Sequence, residues 1–140
     1  MNLPELKIGK LVAQVPIIQG GMAIRLSTAP LAAAVANEGG IGLIAASGMG
    51  LDELRKEIRM ARELTGGKGI IGINAMVAAR QFLDLITTAA EEGIDLIVAG
   101  AGFSRDIFAV GKNMALKLCP SCLLLDWLKL LKNLVLLRLS

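Results

Sequence analysis

The chain contains no histidine and no tyrosine, and its 140 residues include only three Phe and one Trp. Without histidine it lacks the side chain that most readily serves as a general acid or base near neutral pH. The two cysteines form a single motif, Cys119-Pro120-Ser121-Cys122. This motif is compatible with a redox pair or with half of a metal site, but no second pair completes four zinc ligands. We therefore predict no metal site.

The charged residues are distributed unevenly along the chain. Residues 1–113 hold all 16 glycines and equal numbers of cationic and anionic side chains, whereas residues 114–140 have twelve leucines and the whole net charge of +3. No cluster of Lys and Arg is interleaved with aromatic residues, which argues against nucleic-acid binding. The longest uncharged stretch of the tail, 118–125, is shorter than the ~20 residues of a membrane span. Because Met1-Asn2-Leu3-Pro4-Glu5 begins no apolar signal segment, we expect a cytoplasmic protein.

Residues 1–113 repeat one pattern, in which an apolar run is followed by a small residue and then by helical periodicity. The four apolar runs are 16–18, 41–45, 70–73 and 96–99. Their spacing is the length of a βα unit, which predicts parallel strands in sequential order, covered by helices.

We expect the first helix to begin with Ser27 as its N-cap and to end at Gly39-Gly40. The other two helices are predicted from apolar faces: Leu51, Leu54, Ile58, Ala61 and Leu64 in the second, and Phe82, Leu85, Ile86, Ala89 and Ala90 in the third. Four βα units fit either half of a (βα)8 barrel or a small doubly wound sheet.

Two glycine-rich stretches test the doubly wound alternative. Gly40-Ile41-Gly42-Leu43-Ile44-Ala45 precedes and enters its strand, so it does not place a pyrophosphate at the N-terminus of the following helix. Gly100-Ala101-Gly102-Phe103-Ser104-Arg105 follows a strand, but arginine stands where a dinucleotide fingerprint has its third glycine. A tight βα turn is therefore favoured over a dinucleotide site.

The predicted strands end in small or polar residues at one edge of the sheet, where the active sites of (βα)8 barrels lie. These strand ends and several other segments, taken in their order along the chain, resemble the first four βα units of the nitronate monooxygenase (2-nitropropane dioxygenase) family. The segments that carry the resemblance are Ile8-Gly9-Lys10, 16–23, 34–42, Gly72-Ile73-Asn74 and Ala99-Gly100-Ala101-Gly102. FMN-dependent enoyl-ACP reductases share this half of the fold.

The resemblance implies an FMN-dependent oxidoreductase with a small-molecule substrate, either an alkyl nitronate oxidised with O2 or, as the alternative, an enoyl thioester. It further implies cofactor-binding roles. Gly20, Gly21, Met22 and Ala23 form the floor under the flavin ring, Asn74 offers its side-chain amide, and Gly100 lines the site. For Asn74, a strand-end residue that satisfies its own turn is the structural alternative. The family's catalytic base belongs to a Gly-Gly-His segment beyond the fourth unit, so we assign no catalytic residue here.

Residues 114–140 differ in composition from the rest and are interpreted as a separate segment. The spacing of leucine predicts a helix over 123–139, and the basic amphipathic pattern is also compatible with a membrane-surface segment. Read one base out of frame, the same codons are consistent with a fifth strand, a helix and a sixth strand. We interpret the tail as a frameshift product.

The predicted fold class is therefore α/β. Residues 1–113 are assigned to the first four βα units of a TIM-type (βα)8 barrel and residues 114–140 to a Leu-rich helical tail. A half-barrel exposes a sheet edge, so the competing hypothesis is a non-catalytic chain that self-associates.

Overall fold

The computed structural model describes residues 4–102. This part of the chain has a mixed α/β fold, and its elements in chain order are β1 (Leu6–Ile8), β2 (Leu11–Ala13), α1 (Ala29–Asn37), β3 (Ile41–Ala45), α2 (Leu51–Leu64), β4 (Ile70–Met76), α3 (Phe82–Glu91) and β5 (Leu96–Gly100). The predictions made for the tail, including its helix, its cysteine motif and its frameshift, lie outside the described residues.

The central sheet has three parallel strands in the order β3-β4-β5. Ile44 pairs with Ile73 between the first two strands, and Ile73 pairs with Ile97 between the second and third. The predicted parallel, sequential arrangement is confirmed for these strands. For 16–18 the parallel position beside β3 is confirmed by a bridge between Ile18 and Ile41, but the segment is not a regular strand. The chain turns away after this bridge, so no regular strand forms.

Each face of the sheet has its own apolar core. The face toward the helices is filled by buried residues that include Ile44, Ile71 and Ile73 from the strands and Leu54, Ile58, Leu85 and Ile86 from the helices. The opposite, inner face packs on the β1–β2 hairpin through Ile8, Leu11, Ala13, Ile41, Leu43 and Leu96. This alternation follows from the two-residue period of strand side chains. The hairpin was not predicted, because its three-residue strands are too short to show a clear periodicity.

Two details of the predicted helices require correction. The N-cap of α1 is Thr28, not Ser27, and the first N–H of the helix, on Ala29, donates to Glu57 Oε2 of α2 at 2.6 Å. The predicted apolar face of α2 is buried at Leu54, Ile58 and Ala61, but Leu64 is exposed. The predicted face of α3 is buried throughout. None of the helices in residues 4–102 has the length and apolar character that crossing a bilayer requires.

The contact between α1 and β3 requires a glycine. A Cβ built on Gly42 would lie 1.9 Å from the carbonyl oxygen of Ala32, far inside van der Waals contact. The glycine therefore lets the helix backbone rest directly on the strand, a close approach that no other residue permits.

We expect Gly42→Ala to destabilise the chain by about 1–3 kcal/mol or more, because the added methyl group forces α1 away from the sheet. Gly50→Ala is the matched control, since a Cβ there meets no atom within 4 Å. Urea unfolding followed by circular dichroism measures both variants. Equal unfolding midpoints for the two would contradict the packing described here.

A row of ion pairs joins α2 to the end of α3. Arg59 makes a bidentate contact with Glu92, with both nitrogen–oxygen distances at 2.7 Å. Arg55 lies 2.9 Å from Glu91, and Arg62 lies 2.9 Å from Asp95. The three arginines follow helical spacing, so they extend from one face of α2 toward acidic residues near the C-terminus of α3. The hydrogen bond from Arg59 holds the pKa of Glu92 below its usual value of 4.5.

Because the pKa of Glu92 is lowered in the folded state, its ion pair contributes stability above pH 4.5, and this contribution is lost as the pH falls through the lowered pKa. We expect Glu92→Gln to be less stable than the parent chain at pH 7 and equally stable once the pH is well below the lowered pKa of Glu92. Glu5→Gln is the control, since Glu5 and Lys7 form a highly exposed pair. A difference in unfolding free energy between Glu92→Gln and parent that persists at low pH would contradict this assignment.

Candidate functional site

The outer edge of β3 is completed by a side chain rather than by a regular neighbouring strand. Ile41 N–H donates to the carbonyl of Ile17 at 2.9 Å, as in a parallel ladder. The next N–H on that edge, that of Leu43, donates to Gln19 Oε1 at 3.0 Å. The one after it, on Ala45, donates to the carbonyl of Ser27 at 2.8 Å. Since the side chain of Gln19 takes a backbone position in the ladder, the chain is free to leave the sheet after residue 19.

The loop that leaves the sheet is fixed by one buried hydroxyl group. Ser27 is 0% exposed. Its Oγ accepts hydrogen bonds from Gln19 Nε2 and from Met22 N–H, both at 2.8 Å, and donates to the carbonyl of Gly20 at 3.1 Å. Gln19 Nε2 also donates to that carbonyl. Both ends of the Gly20–Gly21–Met22 turn are thus hydrogen-bonded to the same Ser27 hydroxyl group.

This turn brings Gly21 against Asn74, at the carboxyl end of β4. A Cβ built on Gly21 would lie 2.4 Å from Asn74 Cβ and 2.9 Å from its Cγ. On the other side, a Cβ built on Gly100 of β5 would lie 3.4 Å from Asn74 Oδ1. The half-buried amide of Asn74 is therefore held between two glycine backbones on the inner face of the sheet.

Further hydrogen bonds tie the carboxyl ends of the three strands together. Ala46 N–H donates to the carbonyl of Asn74 at 2.9 Å, and Met76 N–H donates to Ser47 Oγ at 2.7 Å. Val77 N–H then donates to the carbonyl of Gly100 at 2.9 Å. We call the surface formed by Gly20, Gly21, Asn74 and Gly100 the glycine–asparagine platform. These hydrogen bonds fix the positions of the strand ends that carry the platform relative to one another.

The platform carries no net charge. The closest charged group on the same loop, Arg25, is bound to Glu53 of α2 by hydrogen bonds of 2.9 and 3.2 Å. Their hydrogen bond raises the pKa of Arg25 and lowers that of Glu53, so both stay ionised and neutralise each other near pH 7. Within residues 4–102 the platform thus offers backbone groups and one amide, which suit binding of a flat polar ring better than proton transfer.

The structure brings together three of the six predicted site residues, Gly21, Asn74 and Gly100. Gly20 belongs to the same turn, although a Cβ on it would meet no atom within 4 Å. Met22 contributes its N–H to the Ser27 bond, whereas its side chain and that of Ala23 are exposed. Sequence reasoning missed Gln19 and assigned Ser27 to a helix cap. The one sequence feature that could have indicated a role for Gln19 is its position directly after an apolar run.

Two cavities lie elsewhere on the described part of the chain. One of about 410 Å³ is at the opposite end of the sheet, between β2, the end of α1 and the loop before β4. The other, of about 490 Å³, lies between the loops that precede α2 and α3, and Met49, Arg80 and Leu85 are among its lining residues. Neither is lined by a residue of the platform.

Comparison with known proteins gives one family and several solved structures. The family described as nitronate monooxygenase matches residues 5–102. FabK from Thermotoga maritima is 34% identical with a TM-score of 0.67, over 74% of this chain and 32% of FabK. Nitroalkane oxidase from Streptomyces ansochromogenes is 22% identical with a TM-score of 0.65, over 76% of this chain and 40% of the oxidase, and this likeness concerns the fold alone.

The chain spans about a third of the length of these solved structures. No curated protein matches it.

The contact between Gly21 and Asn74 can be tested without any ligand. We expect Gly21→Ala to displace the Asn74 side chain, because the new Cβ would overlap it at 2.4 Å. The measurement is the shift of the Asn74 side-chain amide resonances in a ¹⁵N-labelled chain. Gly20→Ala, one residue away and with open space around its Cβ, is the control and should leave these resonances in place. Unmoved resonances in Gly21→Ala would show that the two residues are not in contact.

Proposed function

The chain belongs to the nitronate monooxygenase family, and from this premise we propose that residues 4–102 supply the flavin-facing floor of an FMN-dependent oxidoreductase. In this proposal the parallel sheet and its helices are part of a (βα)8 barrel, and the inner face of the sheet is the interior of the barrel. The contact of Gly21 with the Asn74 side chain is the observation that carries the proposal.

A flavin ring is flat and needs backbone that approaches it closely, with a few fixed polar partners at its edge. The platform meets this description, since Gly20 and Gly21 place no side chain between the backbone and the inner face. Asn74 presents an amide that can both donate and accept hydrogen bonds. Glycines confine this amide on either side, since the built Cβ of Gly21 lies 2.9 Å from Asn74 Cγ and that of Gly100 lies 3.4 Å from Asn74 Oδ1.

The roles of the individual residues follow from this arrangement. Gly20, Gly21, Met22 and Ala23 would line one face of the ring, Asn74 would hydrogen-bond its polar edge, and Gly100 would leave room beside it. FMN, when bound, would supply the redox centre that exchanges electrons with the substrate. The described residues bind and orient the ring. We assign them no proton transfer, because the platform holds no ionisable side chain.

We propose an alkyl nitronate, oxidised with O2, as the substrate. An FMN-dependent enoyl-ACP reductase is the second candidate, favoured by the higher identity to FabK than to nitroalkane oxidase, 34% against 22%. Both candidates use the same flavin floor, so a test of that floor bears on both. A non-catalytic chain that self-associates is the competing proposal, and it predicts a protein without a flavin site.

We expect the 140-residue chain to bind FMN more weakly than in the low micromolar range. Phosphate sites of (βα)8 barrels are usually built by the loops after strands seven and eight. The platform offers no cation or helix N-terminus to a phosphate group. Several charge-assisted hydrogen bonds, each about 1.5–3 kcal/mol, are therefore missing from the described contacts.

Titration of the ¹⁵N-labelled chain with FMN tests the proposal. We expect the amide resonances of residues 20–23, Asn74 and Gly100 to shift, and Asn74→Ala to weaken binding by roughly fivefold, since one hydrogen bond is lost. Asn37→Ala is the matched control, because that amide donates to the carbonyl of Leu64 at the opposite end of the sheet.

Two results would count against the assignment. If the shifted resonances surround the 410 Å³ cavity instead of the platform, the flavin floor is misplaced. If saturation occurs at low micromolar FMN, the phosphate contacts are misplaced.

A further inference from the structure

We infer that Ser27 is a positioning residue for the flavin site, which together with Gln19 sets Gly21 against Asn74 without touching the ring. The inference rests on the proposed function for its consequence, the affinity for FMN. Its structural part, that the Ser27 hydroxyl decides where the Asn74 amide lies, stands independently of any ligand.

The hydrogen-bonding capacity of the Ser27 hydroxyl is completely used. A serine hydroxyl has one proton to donate and two lone pairs to accept with. Here the proton goes to the carbonyl of Gly20, and the two lone pairs accept from Gln19 Nε2 and Met22 N–H. Two of these bonds fix the turn between residues 20 and 22 relative to Ser27, and the third fixes the side chain of Gln19.

Ser27 and Gln19 are in turn tied to the sheet. The carbonyl of Ser27 accepts from Ala45 N–H at 2.8 Å, and Gln19 Oε1 accepts from Leu43 N–H at 3.0 Å. Ala45 is also the register partner of Asn74 in the next strand. Ser27 therefore connects the turn to β3, the strand that neighbours β4, whose end carries Asn74.

Apolar burial does not hold this loop in place. Met22, Ile24 and Leu26 are 46%, 74% and 64% exposed. A loop whose large apolar side chains remain this exposed gains little from packing. Its position consequently depends on the hydrogen bonds at Ser27 and Gln19, together with the ion pair of Arg25.

We expect removal of the Ser27 hydroxyl to displace Gly21 and, with it, the Asn74 side chain. In Ser27→Ala, the carbonyl of Gly20 loses its donor from Ser27, and the N–H of Met22 and the Gln19 amide lose an acceptor. The turn then shifts, and a shift of a few tenths of an ångström is enough to change a contact in which the built Cβ of Gly21 lies 2.4 Å from Asn74. The amide of Asn74 would no longer point where the ring requires it.

A buried hydroxyl at the other end of the sheet provides the matched control. Thr65 is also buried, and its Oγ1 donates to the carbonyls of Ala61 and Arg62 at 3.0 and 3.2 Å. Thr65→Val removes that hydroxyl while keeping the shape of the side chain. Ser27→Ala and Thr65→Val therefore each remove the hydrogen bonds of one buried hydroxyl, but only the first lies beside the platform.

The experiment compares the two variants with the parent chain in three measurements: urea unfolding, the Asn74 side-chain amide resonances without ligand, and the dissociation constant for FMN by NMR titration. We expect both variants to be less stable than the parent. Only Ser27→Ala should shift the Asn74 resonances and weaken FMN binding, by roughly tenfold. Equal effects of the two variants on Asn74 and on FMN would overturn the inference, since a merely structural role predicts that result.

Gln19→Glu keeps the test decisive if Ser27→Ala does not fold. Its carboxylate still accepts from Leu43 N–H, so the sheet edge is preserved, but it provides no N–H to the carbonyl of Gly20. We expect the Asn74 resonances to shift, and unchanged resonances would overturn the inference. If the parent chain binds no FMN while Ser27→Ala moves the Asn74 amide, the proposed function fails and the positioning role stands.

Discussion

The N–H groups along the outer edge of β3 require hydrogen-bond acceptors, and the arrangement of the platform depends on how this requirement is met. Ile41, Leu43 and Ala45 are buried, so an unpaired N–H on any of them would lose its bond to water without replacement. A regular neighbouring strand would supply backbone carbonyls at every step. Here the side chain of Gln19 supplies one, and the carbonyl of Ser27 supplies the next. The intervening residues are thereby released from the sheet, and the turn with Gly21 reaches the inner face.

Much of the sheet could be predicted from the sequence, since β3, β4 and β5 are continuous apolar runs separated by the length of a βα unit. The first predicted strand, 16–18, lies beside β3 through the bridge of Ile18 to Ile41 but is not a regular strand, because periodicity reports burial and does not show that a glutamine side chain can replace a strand in the ladder. The same limit applies to Ser27. Before a helix a serine is typical of an N-cap, yet Glu57, 28 residues away from Ala29, binds the first helical N–H. Contacts this distant in sequence leave no local signal.

The candidate site was predicted in part because family resemblance and local chemistry agreed on glycines at strand ends. The contact of Gly21 and Gly100 with Asn74 follows from parallel strands ending at one edge, which the sequence indicates. Which loop residue approaches closest depends on the path of the turn, and that path is set by hydrogen bonds to Ser27. For this reason Ala23, only two residues further along the chain, is exposed while Gly21 is in contact with Asn74. The order of residues in the sequence does not by itself show which residue of the turn contacts Asn74.

The ring and the phosphate of a flavin make opposite demands on a binding site, and the platform meets only the first. A flat ring is held by close backbone and neutral polar groups, whereas a phosphate requires cations or several converging N–H groups. Arg25 is the cation of the loop, but its charge is neutralised by Glu53 through two hydrogen bonds. The arginines of α2 are bound to acidic residues around the end of α3, on the helix side of the sheet. In the proposed flavoenzyme, affinity for the phosphate would therefore come from groups other than the platform and these ion-paired arginines, while the platform would orient the ring.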